Sequence, residues 1–449
     1  MNEGIGRKNA EKMKQPLISA GGIATSQSPA FTLPMRYMLL GIVGFGLFAI
    51  DLVTQAHTLA VGSPGLPALV ALTHLLVLGS LLSFVIGAVY QLSTVAFLVP
   101  VRVVPLAKVN FWLYLVSFIG LWVTMQNWIQ FGFILFGSLM VLAVSLYSLI
   151  ILWSLATTKV RGAMTWFIAS AHIYLLLAIT FALLLAFADG GIAPVLVPLI
   201  DRLVATHILF AVGGFFTFLI IGFSFKLLPM FTLSHGFSTW REQVTHGCMH
   251  AGIWLIVAGL WIVVPELTWL GVVFGLIGFV NHMLYLRGIF QKRMRKRIEL
   301  PMKSVFASIG FGVLGFILLF VQLVWIRQRA VLETFVLFYL LGFITLTVMS
   351  FSFKIVPFLI WSERYGSRIG KEKVPLMGEL LPLARTRKVY GGYITGVLVT
   401  SLSLAWRFVP LVQVGSVLTA LSLLIYCIEL VYVIRPKQVA VELRHKWQD

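Results

Sequence analysis

Charge is scarce in this chain of 449 residues: Asp, Glu, Lys and Arg make up 11%, against 59% for the hydrophobic types. Soluble domains carry about 25% charged residues, so that class is excluded. Acids are the scarcer sign, with 15 Asp and Glu against 34 Lys and Arg. Only two cysteines occur, Cys248 and Cys427, each inside an apolar run. That count excludes a disulfide framework and any CxxC site. No apolar core followed by a cleavage site precedes residue 35, so no removable signal peptide is expected. A phosphate-binding GxxxxGK loop, a GxGxxG opening a helix after a strand, and an HExxH are all missing. Nothing in the sequence resembles a soluble nucleotidase or protease site.

What is present is apolar length. Mean hydropathy is +0.98, and a bilayer span needs about 20 mostly apolar residues. Twelve runs qualify: 35–56, 66–99, 109–126, 129–155, 162–188, 199–232, 243–264, 267–290, 303–326, 330–361, 389–406 and 409–434. The sequence therefore predicts an all-α, polytopic membrane bundle of about twelve helices over 35–434. Residues 1–34 read as a disordered cytoplasmic lead-in and 435–449 as a cytoplasmic tail.

A net charge of +19 would suggest a nucleic-acid partner in a soluble protein, but its distribution says otherwise. Arg7, Lys8, Lys12, Lys14 and Arg36 precede the first run, and Arg102 with Lys108 follow the second. Lys159 and Arg161 follow the fourth, and Arg287, Lys292, Arg293, Arg295, Lys296 and Arg297 follow the eighth. A further seven basic residues lie between Arg364 and Lys388, whereas loops of the other parity carry only Arg202, Arg327, Arg329 and Arg407. This is the positive-inside asymmetry, and it puts both termini in the cytoplasm. The partner implied is the lipid bilayer, of a bacterial plasma membrane on this reading, and not nucleic acid.

Three of the runs share a pattern. Gly79 and Gly87, Gly214 and Gly222, and Gly342 and Ser350 each pair two small residues across seven positions, and an aromatic follows three later: Tyr90, Phe225, Phe353. The last two copies continue as Phe223-Ser224-Phe225-Lys226-Leu227-Leu228-Pro229 and Phe351-Ser352-Phe353-Lys354-Ile355-Val356-Pro357. The glycines Gly79, Gly214 and Gly342 recur 135 and 128 residues apart, the length of four helices with their loops. Three pseudo-symmetric four-helix repeats follow, about 35–155, 162–290 and 303–434. Lys226 and Lys354 are expected to snorkel to the headgroups, and Pro229 and Pro357 to stop or bend their helices.

Ionisable side chains inside a membrane are costly and tend to be functional, which makes the nine histidines the residues to weigh. His74, in Thr73-His74-Leu75, is the first candidate cofactor ligand, because imidazole binds iron directly; Gly79 and Gly87 would leave room for a flat macrocycle. His207 lies at similar depth in the sixth run. It stands two positions out of repeat register with His74, about 200° around a helix, but could meet the same iron from another helix. His246 and His250 share a helix face one turn apart, with Cys248 turned away. Two histidines leave a metal site short of ligands, so solvated interfacial histidines are the plainer reading. His172 and His282 are expected to bond across the bundle. Glu429, the one acid well inside a run, is a candidate proton relay.

Twelve spans with both ends inside, threefold repetition and a histidine near the outer end of the second helix resemble the catalytic subunit of the haem–copper oxidase superfamily. The resemblance covers 35–434 as architecture. It implies that His74 matches the second-helix haem ligand and that His207 falls on the helix carrying a copper ligand. The tenth helix reads Phe335-Val336-Leu337-Phe338-Tyr339-Leu340-Leu341 without the family's His-x-His, and the seventh lacks its adjacent histidine pair. A complete terminal oxidase is therefore not expected, and copper lacks a full ligand set. The resemblance implies instead a degenerate relative with one haem held through His74, with His207 as the candidate second ligand, or with no cofactor at all; its role would be electron transfer, gas sensing or respiratory-complex assembly with a second membrane subunit or electron donor. The rival expectation is a transporter or channel without haem.

Overall fold

In lipid every backbone N–H and C=O must find a partner within the chain, so apolar runs of this length fold as helices. The structure, a computed structural model, describes residues 30–237, 239–294, 298–326, 329–369, 371, 374–381 and 383–435. Most of the expected N-terminal lead-in, the C-terminal tail beyond 435 and the basic residues Arg295, Lys296 and Arg297 lie outside the described residues. No strand occurs among the described residues.

Eleven described helices are long and apolar enough to cross a membrane. They are α1 (Thr32–Thr54), α2 (Pro67–Thr94), α3 (Val104–Asn127), α4 (Gln130–Ala156), α5 (Ala163–Asp189), α6 (Pro194–Thr232), α7 (Trp240–Ile262), α8 (Pro265–Gln291), α9 (Leu300–Trp325), α10 (Ala330–Arg368) and, after α11, α12 (Val409–Ile434). The expected count is twelve. The remaining run forms α11 (Leu383–Ala405), a helix of 23 residues packed along α12. Arg385, Arg387, Lys388 and its Ser, Thr and Gly positions dilute its hydropathy, which keeps it out of the apolar set.

Helices α2, α6 and α10 form the interior. Their most apolar stretches are 72%, 61% and 72% buried, against 28–50% for the other eight. Neighbouring helices pair along the chain, and α12 packs back on α1 to close the arrangement. Apolar side chains left on the outside, such as Val43, Trp112, Leu149, Trp153, Trp254 and Ile428, face where lipid would lie. Where α2, α6 and α10 meet beside Met38 of α1, a cavity of about 60 Å³ remains, lined by apolar groups with only Thr347 and Ser352 carrying side-chain oxygens.

Each interior helix carries a π segment: Leu75–Leu82, Leu209–Phe216 and Phe338–Thr345. A π turn shifts the hydrogen-bond ladder by one residue and exposes carbonyls that lipid cannot satisfy. Hydroxyls fill the need. Ser83 donates to the Leu78 carbonyl at 2.9 Å, Thr217 to Val212 at 2.8 Å and Thr345 to Leu340 at 2.8 Å. From outside the helix, Tyr114 donates to the Leu78 carbonyl at 2.6 Å and Tyr393 to that of Leu341 at 2.9 Å.

Between membrane helices the driving force is close packing rather than water exclusion, so small residues mark the contacts. Gly44 of α1 lies against the backbone of α2: a Cβ there would stand 2.3 Å from the Gly79 carbonyl oxygen. Gly44→Ala is expected to push the two helices apart and to cost about 1–3 kcal/mol, the usual range for overpacking. An unchanged unfolding midpoint in detergent would remove this contact from the account of α1 docking.

Pro229 and Pro357 both lie inside helices, which run on to Thr232 and to Tyr365, so neither stops its helix on the spot. One sequence expectation fails here. Lys354 does not snorkel. It is buried and forms an ion pair with Glu299 at the start of α9, whereas Lys226 is exposed. The two lysines share a motif, but among the described residues Lys354 alone has a carboxylate brought beside it by the preceding helix.

Candidate functional site

His74 and His207 reach the same place from different helices. Each sits at the entrance to a π segment: His74 ends the α-helical stretch Pro67–His74, and His207 is one residue from the end of Ile200–Ile208. Their ring centroids are 6.4 Å apart and their planes differ by 12°. That is too far for ring-to-ring contact across van der Waals distance. His74 Nδ1 lies 2.8 Å from the Val70 carbonyl oxygen, and His207 Nδ1 lies 2.9 Å from that of Ala178 on α5. A carbonyl only accepts, so both protons are on Nδ1 and each neutral ring keeps its lone pair on Nε2. Among the described residues, neither Nε2 has a hydrogen-bond partner.

This is the tautomer a metal-bound histidine adopts, with the distal N–H tied to a carbonyl. The spacing also fits. An ion holding two opposed imidazoles takes each nitrogen at about 2 Å, and the nitrogen lies about 1.1 Å from its ring centre, so the ring centres stand about 6 Å apart. The two residues out of repeat register are no obstacle, because the pair joins two differently placed helices.

The glycines expected to make room for a macrocycle do something else. A Cβ on Gly79 would stand 2.6 Å from Phe118, and one on Gly87 would stand 2.6 Å from the Pro34 carbonyl. Both are used for helix contact with α3 and α1, so that part of the sequence reading is corrected.

A second histidine cluster joins α5 and α7. His246 Nε2 and His250 Nε2 are 3.1 Å apart, and the Ser170 hydroxyl is 3.2 Å from the first and 3.1 Å from the second. His250 Nδ1 and the Tyr174 hydroxyl are hydrogen-bonded at 2.6 Å. Phe167 and Phe218 wall the pair edge-on, with centroids 4.8 Å from His246 and His250 respectively. Both rings are half-buried and hydrogen-bonded to α5 rather than left to solvent alone. The i, i+4 spacing put them on one face as expected, but that face turns inward onto α5. Cys248 lies on the opposite side toward Gly278 of α8, as its i+2 position requires. Ser170 and Tyr174 were missed by sequence reasoning; their i, i+4 spacing on α5 mirrors that of the histidines and was the available signal.

The other candidates are bonded within the bundle. His172 is fully buried, with Nδ1 at 2.7 Å from the Ile168 carbonyl oxygen and Nε2 at 3.1 Å from the Tyr147 hydroxyl. His282 Nε2 meets the Ser224 hydroxyl at 3.2 Å. Both bond across the bundle, as expected. Glu429 is buried with an Arg385 guanidinium nitrogen 3.6 Å from its Oε2, so it is half of an ion pair. Among the described residues, no three His, Cys, Asp or Glu side chains converge as a metal-binding group. The chain matches no protein-family model and no curated protein sequence.

Proposed function

We propose that this is a haem-binding membrane protein of the haem–copper oxidase architecture, holding one haem iron between His74 and His207 and serving electron transfer. The observation that carries the reading is the near-parallel imidazole pair, 6.4 Å between centroids, with both Nδ1 atoms engaged by backbone carbonyls. A bound haem would supply a one-electron redox centre whose potential responds to axial ligands and burial. The protein's part would be to hold both rings in the ligating tautomer, His74 through the Val70 carbonyl and His207 through that of Ala178; two histidine ligands on one iron would suit electron transfer. The rival reading is a transporter or channel without haem; the cavity among α2, α6 and α10 is lined almost wholly by apolar groups, which gives that reading less support.

The architecture belongs to the same proposal: twelve spans including α11, both termini in the cytoplasm, and three four-helix repeats. Internal correspondences support the repeat. The π segments begin four, five and four residues before Gly79, Gly214 and Gly342. The fourth helices place Tyr147, His282 and Tyr426 on the motif aromatics Tyr90, Phe225 and Phe353, with centroids 5.6, 5.3 and 5.0 Å apart. His282 and Tyr426 also bond the equivalent serines, Ser224 at 3.2 Å and Ser352 at 2.5 Å. The run of basic loops at one membrane face supports the orientation.

The test is the absorption spectrum of the full chain purified in detergent after expression with ample haem, with a pyridine haemochrome assay for haem type. A Soret band at close to one haem per chain is expected. Protein that stays colourless overturns the proposal.

A further inference from the structure

We infer that the first four helices enclose an internal hydration site, where ordered water is held by Tyr37 of α1, Tyr90 of α2, Asn110 of α3 and Tyr147 of α4. Each helix sends one polar side chain inward. Ring centroids of Tyr37 and Tyr90 are 5.9 Å apart, and those of Tyr90 and Tyr147 are 5.6 Å apart. The polar ends are neighbours too: the Tyr147 hydroxyl interacts with those of Tyr37 and Tyr90, and Tyr37 with the Asn110 side chain. Tyr37 and Tyr90 are 0% exposed and Asn110 is 1% exposed. Among the described residues, neither of those two hydroxyls has a hydrogen-bond partner within the protein, and Asn110 Oδ1 has none either. Asn110 is fixed from its other end, where Nδ2 donates to the Ala143 carbonyl at 3.0 Å. Three such atoms left unsatisfied inside an apolar bundle are costly, because neither lipid nor bulk water reaches them.

The motif copies show why the orphans fall here. In the second and third copies a serine of the interior helix bonds the fourth helix directly, Ser224 to His282 at 3.2 Å and Ser352 to Tyr426 at 2.5 Å. The first copy has Val89 at that position, so α2 offers no hydroxyl there. Water supplies the bonds that match. His172 Nδ1 faces the Ile168 carbonyl oxygen and carries the proton, so Nε2 accepts from the Tyr147 hydroxyl at 3.1 Å. The Tyr147 oxygen therefore keeps its capacity to accept. Water can accept from Tyr37 and Tyr90 and donate to Asn110 Oδ1 and to Tyr147. Buried waters make about three hydrogen bonds, to two to four polar partners, and this cluster offers four. All four side chains are neutral, which suits water rather than an ion. Through Tyr147 and His172 the hydrogen-bonded seam continues to α5.

The experiment uses the full chain in detergent. A short X-ray pulse makes hydroxyl radicals from water, bound water included, and mass spectrometry reads the oxygen added to each tyrosine. Tyr37 and Tyr90 are expected to be labelled although both are buried. Tyr339 is the reference: its ring packs among Phe279, Phe316 and Phe335, its hydroxyl meets that of Thr217 at 2.8 Å, and it should stay unlabelled. The same labelling is expected in His74→Ala protein, which separates this site from the haem reading. Tyr37→Phe and Tyr90→Phe keep the rings and give a second readout. A hydroxyl bonded to water contributes to stability, whereas an orphaned one detracts from it, so each variant should unfold at a lower midpoint than the parent chain. The inference falls if Tyr37 and Tyr90 carry no more label than Tyr339. It falls equally if both phenylalanine variants unfold at or above the parent midpoint.

Discussion

Replacing His74 with alanine should leave the purified protein without a Soret band, and replacing His207 should do the same. Removing merely the hydrogen-bond partner of a metal-bound histidine costs about 10–100-fold in metal affinity, so removing the ligand itself should lower haem occupancy by at least about tenfold. Neither ring is needed for folding in an obvious way. Each makes one hydrogen bond to a backbone carbonyl, at 2.8 and 2.9 Å, and both are part-buried. The chain should therefore still be recovered from the membrane, and free imidazole added to His74→Ala protein should restore part of the band. His172→Ala serves as a comparison, because that ring has both nitrogens bonded inside the bundle and is expected to keep the haem. Unaltered haem content in His74→Ala and His207→Ala would end the proposal that these two rings hold the iron.

The second large effect concerns stability. Lys354 is 6% exposed and its partner Glu299 25%, so the pair lies where taking one charge away leaves the other poorly solvated. Breaking such a pair costs about 3–5 kcal/mol, whereas replacing both partners with uncharged groups is often neutral. Glu299→Ala is accordingly expected to lower stability by about 3 kcal/mol, and Lys354→Met combined with Glu299→Ala to recover most of it. Lys226→Met, at the exposed equivalent position, should change little. The measurement is the unfolding midpoint in detergent. Equal midpoints for Glu299→Ala and the double variant would show that the pair contributes nothing beyond what solvent already supplies.

The candidate site was half legible in the chain. His74 and His207 could be named because a histidine in an apolar run is costly enough to need a reason. That they could converge from different helices was open in the sequence, but their spacing and ring orientation depend on how α2 and α6 lie against each other. The glycines illustrate the reverse error. Their spacing was visible, but whether Phe118 or a macrocycle fills the space beside Gly79 is a matter of what the neighbouring helix carries. His246 and His250 were correctly put on one helix face by their spacing, but the direction of that face was not. A helix with apolar residues on most sides gives no signal for which side meets protein and which meets lipid. Pro357 was expected to stop or bend its helix, and the helix carries on through it to Tyr365.

By itself the sequence determined that this is a bundle of apolar helices, where most of them begin and end, and which three carry a common pattern. Hydropathy and backbone satisfaction in lipid are local requirements, so local residue order is enough to meet them. The tertiary structure alone decided which imidazoles face each other, which lysine is paired, and that Ser170 and Tyr174 of α5 complete the His246 and His250 cluster. Those outcomes depend on contacts between helices tens to hundreds of positions apart, and packing between membrane helices is governed by shape and close fit, which no single run encodes.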